Sequence, residues 1–301
     1  MKTQLKGSVL LLLTALIWGS AFVAQSVGMD YVGPFTFNSV RCIIGGIVLL
    51  PCIALLDKMN GRKISVWGTN ENAARKTLVT GGVLCGVLLA IASSFQQMGI
   101  QYTTVGKSGF ITAMYILIVP ILGLFAGKKV PLLTWGGVGL AVVGLYLLCM
   151  TDGFALSAGD VLMMACAFSF SFHIMVVDKY SPMVDGVRMS CIQFFVCGIL
   201  CGIPALMFES PQLAQIIAAA QPILYAGVMS CGVAYTLQII GQKYTQPTVA
   251  SLLMSLESVF AVICGAIILH ETMNGREIFG CVLMFAAIVF AQIPTKAKSK
   301  A

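Results

Sequence analysis

The chain has 301 residues, of which 58% are hydrophobic and only 10% charged, and its formal net charge is +7. A soluble domain carries roughly a quarter charged residues, so this composition excludes a water-facing surface over most of the chain and makes lipid its main solvent. The basic excess sits in short connections between apolar stretches, where it signals topology and excludes a nucleic-acid partner.

A helix that crosses roughly 30 Å of hydrocarbon needs about 20 residues. In chain order the apolar stretches predict ten such helices, near 7–28, 33–56, 77–99, 105–126, 131–150, 158–177, 186–207, 217–241, 247–269 and 275–294. The first follows Lys2 and Lys6 and resembles a secretory signal peptide, with Ala21-Phe-Val-Ala24 as a cleavage-like site. Nine equivalent stretches follow, so it is read as the first helix of a retained bundle. The longest polar connection, Asp57 to Lys76, is too short for a soluble domain. The eleven cysteines fall inside apolar runs without metal-ligand spacing, and they are expected to be small buried hydrophobes, with no metal and no cofactor.

Basic residues favour cytoplasmic loops. With the N-terminus inside, Lys58, Arg62, Lys63, Arg75, Lys76, Lys128, Lys129, Lys179, Arg188, Lys243 and both termini lie on the cytoplasmic face, against Lys107 and Arg276 near the other. The expected location is the inner or plasma membrane, multi-pass, both ends cytoplasmic.

An internal repeat runs through the chain. Phe95-Gln-Gln-Met-Gly-Ile-Gln-Tyr-Thr103 matches Leu237-Gln-Ile-Ile-Gly-Gln-Lys-Tyr-Thr245, pairing Gln96 with Gln238, Gly99 with Gly241, Tyr102 with Tyr244 and Thr103 with Thr245. Gly7-Ser-Val-Leu10 matches Gly159-Asp-Val-Leu162, and Ala15 falls opposite Ala167. The expected fold is therefore all-α integral membrane, ten transmembrane helices as two inverted five-helix repeats, 1–151 and 152–301. Five is odd, so the second copy enters the membrane from the opposite side, as in carriers that work by alternating access.

Trp18-Gly-Ser-Ala-Phe22, Arg41, Tyr102-Thr103, Leu256-Glu-Ser-Val-Phe260 and His270-Glu271, in that order, resemble the drug/metabolite transporter superfamily of the EamA type over residues 5–294. The resemblance implies a secondary transporter of small organic metabolites, working as an exporter. The family's proline after the helix-nine Glu is replaced by Ser258, which predicts a straighter ninth helix, while Pro120 remains available to bend the fourth. The glycine usual before the helix-end Glu is replaced by His270.

A charge in hydrocarbon normally faces the bundle interior. Glu257 is a candidate to bind a cation or carry a coupling proton, with a structural carboxyl as the alternative. Arg41 is expected to pair with backbone carbonyls or a carboxylate, and Lys107 to snorkel to the outer interface. His173 is a candidate proton relay or a hydrogen-bonded interior histidine. Gln96, Gln97 and Gln238, with Trp18, Ser20, Tyr115, Phe170 and Tyr235, predict a mixed aromatic and amide cavity suited to amphipathic metabolites such as amino acids. The expected partners are the bilayer, a small molecule and protons, in a monomer or homodimer. Glycine pairs Gly82/Gly86, Gly123/Gly127 and Gly198/Gly202 suit close helix packing.

Two rivals stand beside the carrier. Gly106-Lys-Ser-Gly109 with His173 resembles the serine and histidine of rhomboid intramembrane proteases, which would make Ser108 a nucleophile. A channel is the other. His270-Glu271 is no zinc-protease signature, because Asn274 stands where the second histidine belongs, and Gly106-Lys-Ser108 lacks the upstream glycine of a nucleotide-binding loop.

Overall fold

A computed structural model describes residues 2–61, 63, 65, 67, 68, 71–102, 105–128, 130–149, 157–268 and 275–292. Thr103, the side chain of Lys107, His270 and Glu271 lie outside the described residues. Every regular element among the described residues is helical: α1 (Lys2–Gly28), α2 (Pro34–Met59), α3 (Asn72–Gly99), α4 (Val105–Ala113), α5 (Tyr115–Phe125), α6 (Leu132–Cys149), α7 (Ala158–Tyr180), α8 (Gly186–Pro204), α9 (Leu213–Ala218), α10 (Ala220–Leu224), α11 (Thr236–Gln242), α12 (Pro247–Met254), α13 (Glu257–Ile268) and α14 (Gly275–Gln292). Two π-helical stretches, Ala205–Glu209 and Tyr225–Tyr235, continue α8 and link α10 to α11. Among the described residues eight helical stretches are long and apolar enough to cross a membrane, and two shorter apolar helices, Leu132–Leu147 and Ile278–Ala287, lie within α6 and α14.

The outer surface is apolar. Leu12, Ile47, Phe168, Ile199 and Ile267 are exposed, while Leu11, Leu89, Val119, Phe194 and Leu253 are buried in one continuous core. That arrangement is stable only where the surrounding solvent is lipid.

The fourth and ninth segments are interrupted at their centres. Between α4 and α5 the ladder tightens, with Met114 N bonding Ile111 O and Leu117 N bonding Met114 O, and Pro120 lacks the N–H that would bond Ile116 O. Between α12 and α13 the same tightening occurs at Ser255–Leu256, where Leu256 N bonds Leu253 O and Ser258 N bonds Ser255 O. The Ser255 hydroxyl donates back to Leu252 O at 2.8 Å, a side-chain bond that competes with the helical ladder. The straighter ninth helix expected from the missing proline is thus not found; serine supplies the interruption. In the register that matches Thr103 to Thr245, Tyr115 corresponds to Glu257, so the second half of each broken segment begins at the same place.

The broken segments pack half against half. α4 lies on α13 and α5 on α12. Close glycine contacts repeat the pattern elsewhere. A Cβ on Gly241 would stand 3.2 Å from Gly7 O, and one on Gly99 would stand 3.1 Å from Gly159 O. The head of α1 therefore packs on the end of α11, and the head of α7 packs on the end of α3, through matching residues. Gly82 and Gly86 face Ile192 and Val196 of α8, and Gly198 faces Ile43 of α2, so these glycines serve contacts within the chain.

The α2–α8 pair is fastened at both ends. Asp57, near the end of α2, takes two 2.6 Å bonds from Arg188 Nη2 at the start of α8, and Asp185 caps that helix through Arg188 N. At the opposite end Glu209 accepts from Phe35 N (2.8 Å), Thr36 N (2.7 Å) and the Thr36 hydroxyl (2.7 Å), filling the free donors at the start of α2. In between, Ser39 donates to Gly198 O and the Cys191 thiol to Gly46 O.

Candidate functional site

The interrupted helices meet beside a cavity at the middle of the bundle. Its walls come from α1 (Trp18, Phe22, Gln25), α2 (Arg41), α3 (Gln96), α4 and α5 (Thr112, Tyr115), α7 (Phe170, Ile174), the second π-helical stretch (Ser230, Tyr235), α11 (Gln238) and α13 (Glu257). Its volume is about 30 Å³, room for one or two waters, against roughly 300 Å³ or more for a small-molecule site. The bundle is contracted around its centre in this conformation.

Close packing puts each group in place. On α1, Gly19 follows Trp18, and a Cβ there would stand 2.7 Å from Glu257 O and 2.8 Å from Ala261 N, so only glycine lets α1 approach the first turn of α13 this closely. Ser258 donates to Gly109 O at 2.8 Å and ties the same turn to α4. Glu257, 4% exposed, then accepts a 2.9 Å hydrogen bond from the Tyr115 hydroxyl. The two matching positions of the repeat are in direct contact, one as donor and the other as acceptor.

On α2, Gly45 lies one turn beyond Arg41 and would place a Cβ 2.6 Å from Cys231 Cβ, while a Cβ on Gly227 would stand 3.0 Å from Arg41 O. These contacts bring α2 against the π-helical stretch, so Arg41 shares its wall with Ser230 and Tyr235. π-helical turns often mark functional sites. The Tyr235 ring is the hub of the aromatic wall, with its centroid 4.6 Å from Trp18, 5.7 Å from Phe194 and 6.0 Å from His173.

Several polar atoms here have no hydrogen-bond partner among the described residues: Trp18 Nε1, Gln25 Oε1, Arg41 Nε and Gln238 Oε1. Buried polar groups are nearly always bonded, so a cavity edged by four that are not is suited to a polar guest. Arg41 does not meet the expectation of a structural partner. Among the described residues its guanidinium makes no hydrogen bond or ion pair, and its contact is with the Phe37 ring, 5.5 Å from Cζ to centroid.

Of the residues expected at the site, Trp18, Arg41, Gln96, Tyr115, Phe170, Tyr235, Gln238 and Glu257 surround the one cavity. Three do not reach it. Ser20 lies about 200° around α1 from Trp18 and bonds the Tyr225 hydroxyl at 2.6 Å beside a separate groove on the bundle's flank. Gln97 turns about 100° from Gln96 and donates to Gln25 O at 3.0 Å. His173 is fully buried, its Nε2 is 3.1 Å from Gln193 Oε1, and the rings of Phe170 and Tyr235 lie against it. Phe22, Gln25, Thr112, Ile174 and Ser230 were not anticipated; helical spacing from Trp18, Tyr115 and Phe170 reaches Phe22 and Gln25, Thr112, and Ile174 at three, four or seven residues.

The protease arrangement is not assembled. Among the described residues Ser108 Oγ is buried without a hydrogen-bond partner, as is His173 Nδ1, and His173 Nε2 is engaged by Gln193, so His173 does not serve the hydroxyl as a base. Among the described residues no group of three or more His, Cys, Asp or Glu side chains is placed to hold a metal ion.

The EamA-like transporter family matches residues 5–150 and 157–292. A transporter of Archaeoglobus fulgidus, described as uncharacterized, is 30% identical over 284 residues, covering 94% of this chain and 84% of the relative. The inner membrane transporter YedA of Escherichia coli, described in the same way, is 24% identical over 290 residues, covering 92% of this chain and 86% of its own. One crystal structure superposes with a TM-score of 0.75 at 17% identity, covering 95% of this chain and 96% of the other, a likeness of fold.

Proposed function

The chain belongs to the EamA-like transporter family and is a multi-pass membrane transporter, and from that premise we propose that it is a secondary carrier whose two inverted five-helix repeats, 1–151 and 152–301, rock around the central cavity. The observation that carries this reading is the crossed packing of the broken segments, α4 on α13 and α5 on α12. Equivalent helices that lie first half against second half run antiparallel, which is the relation an inverted repeat requires. The matched glycine contacts of α1 on α11 and α7 on α3 support it, as does the family's match to each half separately. Ten spans then comprise the eight long apolar stretches and the two shorter ones.

Discontinuous helices crossing at mid-membrane are where such carriers bind their cargo. The mixture of Trp18, Phe170 and Tyr235 with Gln96 and Gln238 favours small amphipathic metabolites such as amino acids. Glu257 is the one acidic group lining the cavity among the described residues and the candidate for a coupling proton; His173 is not, because it does not reach that space. Lys128, Arg188 and Lys243 gather around the clefts at one end of the bundle, which supports a cytoplasmic face there and cytoplasmic termini. Location in the inner membrane and export as the direction follow the family resemblance.

Purified protein in proteoliposomes, loaded with unlabelled amino acids, amines or nucleobases, is expected to take up the matching labelled compound with saturation and trans-stimulation. Uptake that neither saturates nor responds to the trans compound would replace the carrier with a channel.

A further inference from the structure

Arg41 is the group in the cavity that the bundle itself does not account for. It is 3% exposed and lines the cavity, and Glu257, the acidic group of the same cavity, is bonded to Tyr115 and not to it. An unpaired buried cation is among the costliest arrangements a fold holds. The same chain shows how it handles its other buried guanidinium: Arg188, also 3% exposed, is met by Asp57 with two 2.6 Å bonds. The cation–π contact of Arg41 with Phe37 is a weak substitute for such a partner.

What Arg41 lacks is an anion, and the place open to one is the cavity. A guanidinium presents a planar fork of donors that fits a carboxylate through two parallel bonds. A carboxylate also balances the charge one for one, whereas a phosphate brings up to two negative charges to a cavity with one cation and one acid. Trp18 Nε1, without a partner among the described residues, is a further donor lining the same cavity. Resting on the carrier reading above, we infer that Arg41 anchors the carboxylate of the transported molecule, so that the site selects organic acids, with or without an ammonium group, over the corresponding amides and amines.

The test uses the full chain in detergent and in proteoliposomes, with probes that share a phenyl group to suit the aromatic wall: phenylalanine, 3-phenylpropionate, phenylalaninamide and phenylethylamine. Thermal stabilisation is expected from the two acids and not from the amide or the amine. The two acids separate the sources of the carboxylate, since phenylalanine alone would also engage Glu257. Arg41→Gln should weaken binding of the acids about tenfold or more, and Arg41→Lys, which keeps the charge but not the fork, should recover part of it. Equal stabilisation by acid and amide, no stabilisation by either acid up to millimolar concentration, or unchanged acid affinity in Arg41→Gln would overturn the inference. The acid–amide comparison is made on the unaltered protein and holds even if the variants fail to fold. Acids that bind but are not exchanged across vesicles would sink the carrier reading and leave the anchor standing; saturable exchange confined to amines or amides would do the reverse.

Discussion

The α2–α8 pair, with α8 continued by its π-helical stretch, runs between two clasps, Glu209 on the head of α2 at one end and Asp57 with Arg188 at the other. The crossing of α4–α5 with α12–α13 has no such fastening at its ends among the described residues; its bonds lie at the centre, where both helices are interrupted and where Tyr115 meets Glu257 and Ser258 meets Gly109. In the proposed repeat both pairs join corresponding segments of the two halves. Among the described residues the difference is where polar interactions are spent: at the two ends of one pair, and at the centre of the other.

Removing Arg188 tests the fastened pair most severely. Arg188→Ala removes two 2.6 Å charge-assisted bonds from the buried Asp57 carboxylate and should cost about 3–5 kcal/mol, read as a large fall in melting temperature in detergent. Replacing both members together, Asp57→Leu with Arg188→Met, should restore most of that loss, because the pair's desolvation is removed with its attraction. Glu209→Ala at the opposite clasp removes three hydrogen bonds to a helix start and should cost about 1–2 kcal/mol in the same assay. At the centre, Tyr115→Phe should lower stability by only about 0.5–1.5 kcal/mol, yet reduce exchange across vesicles several-fold. If it melts like the parent and also transports like it, the joint is ornamental and the contrast between the pairs fails. The smallest effect belongs to Lys128→Ala. Its ion pair with Asp178 at the mouth of an open cleft is 41% and 17% exposed, and its loss should stay within about 0.5 kcal/mol.

The apolar helices were legible because they rest on a long-range average, hydropathy over about 20 residues; the inverted halves proposed above rest on a repeat of the sequence. The interruption of the ninth segment was not legible, because Ser255–Leu256 carries neither the proline nor the glycine that announces a break; in the fourth, Pro120 signalled a bend but not its place at Met114. The signal lay in the register itself, which sets Tyr115 opposite Glu257. For the cavity, residue type was informative and rotation around the helix axis decided the rest. Gln96 and Gln97 are chemically alike and adjacent, and only Gln96 has a repeat mate on the cavity, Gln238. Ser20 failed for the same reason. Arg41 was expected to be satisfied by the protein, since most buried arginines are; its isolation depends on what every neighbouring helix does not offer, which no local motif encodes.

The contact of Tyr115 with Glu257 carries a consequence for how the halves are related. On a twofold axis, equivalent residues touch each other, so two identical halves would have to set like against like: a carboxylate against a carboxylate, or a phenol against a phenol. A donor on one half and an acceptor on the other turns that self-contact into a complementary one. The two halves are therefore not interchangeable copies. In the proposed inverted repeat, a dimer assembled from first halves alone, or from second halves alone, would lose the bond at its own centre, because each half supplies the partner that the other's residue needs.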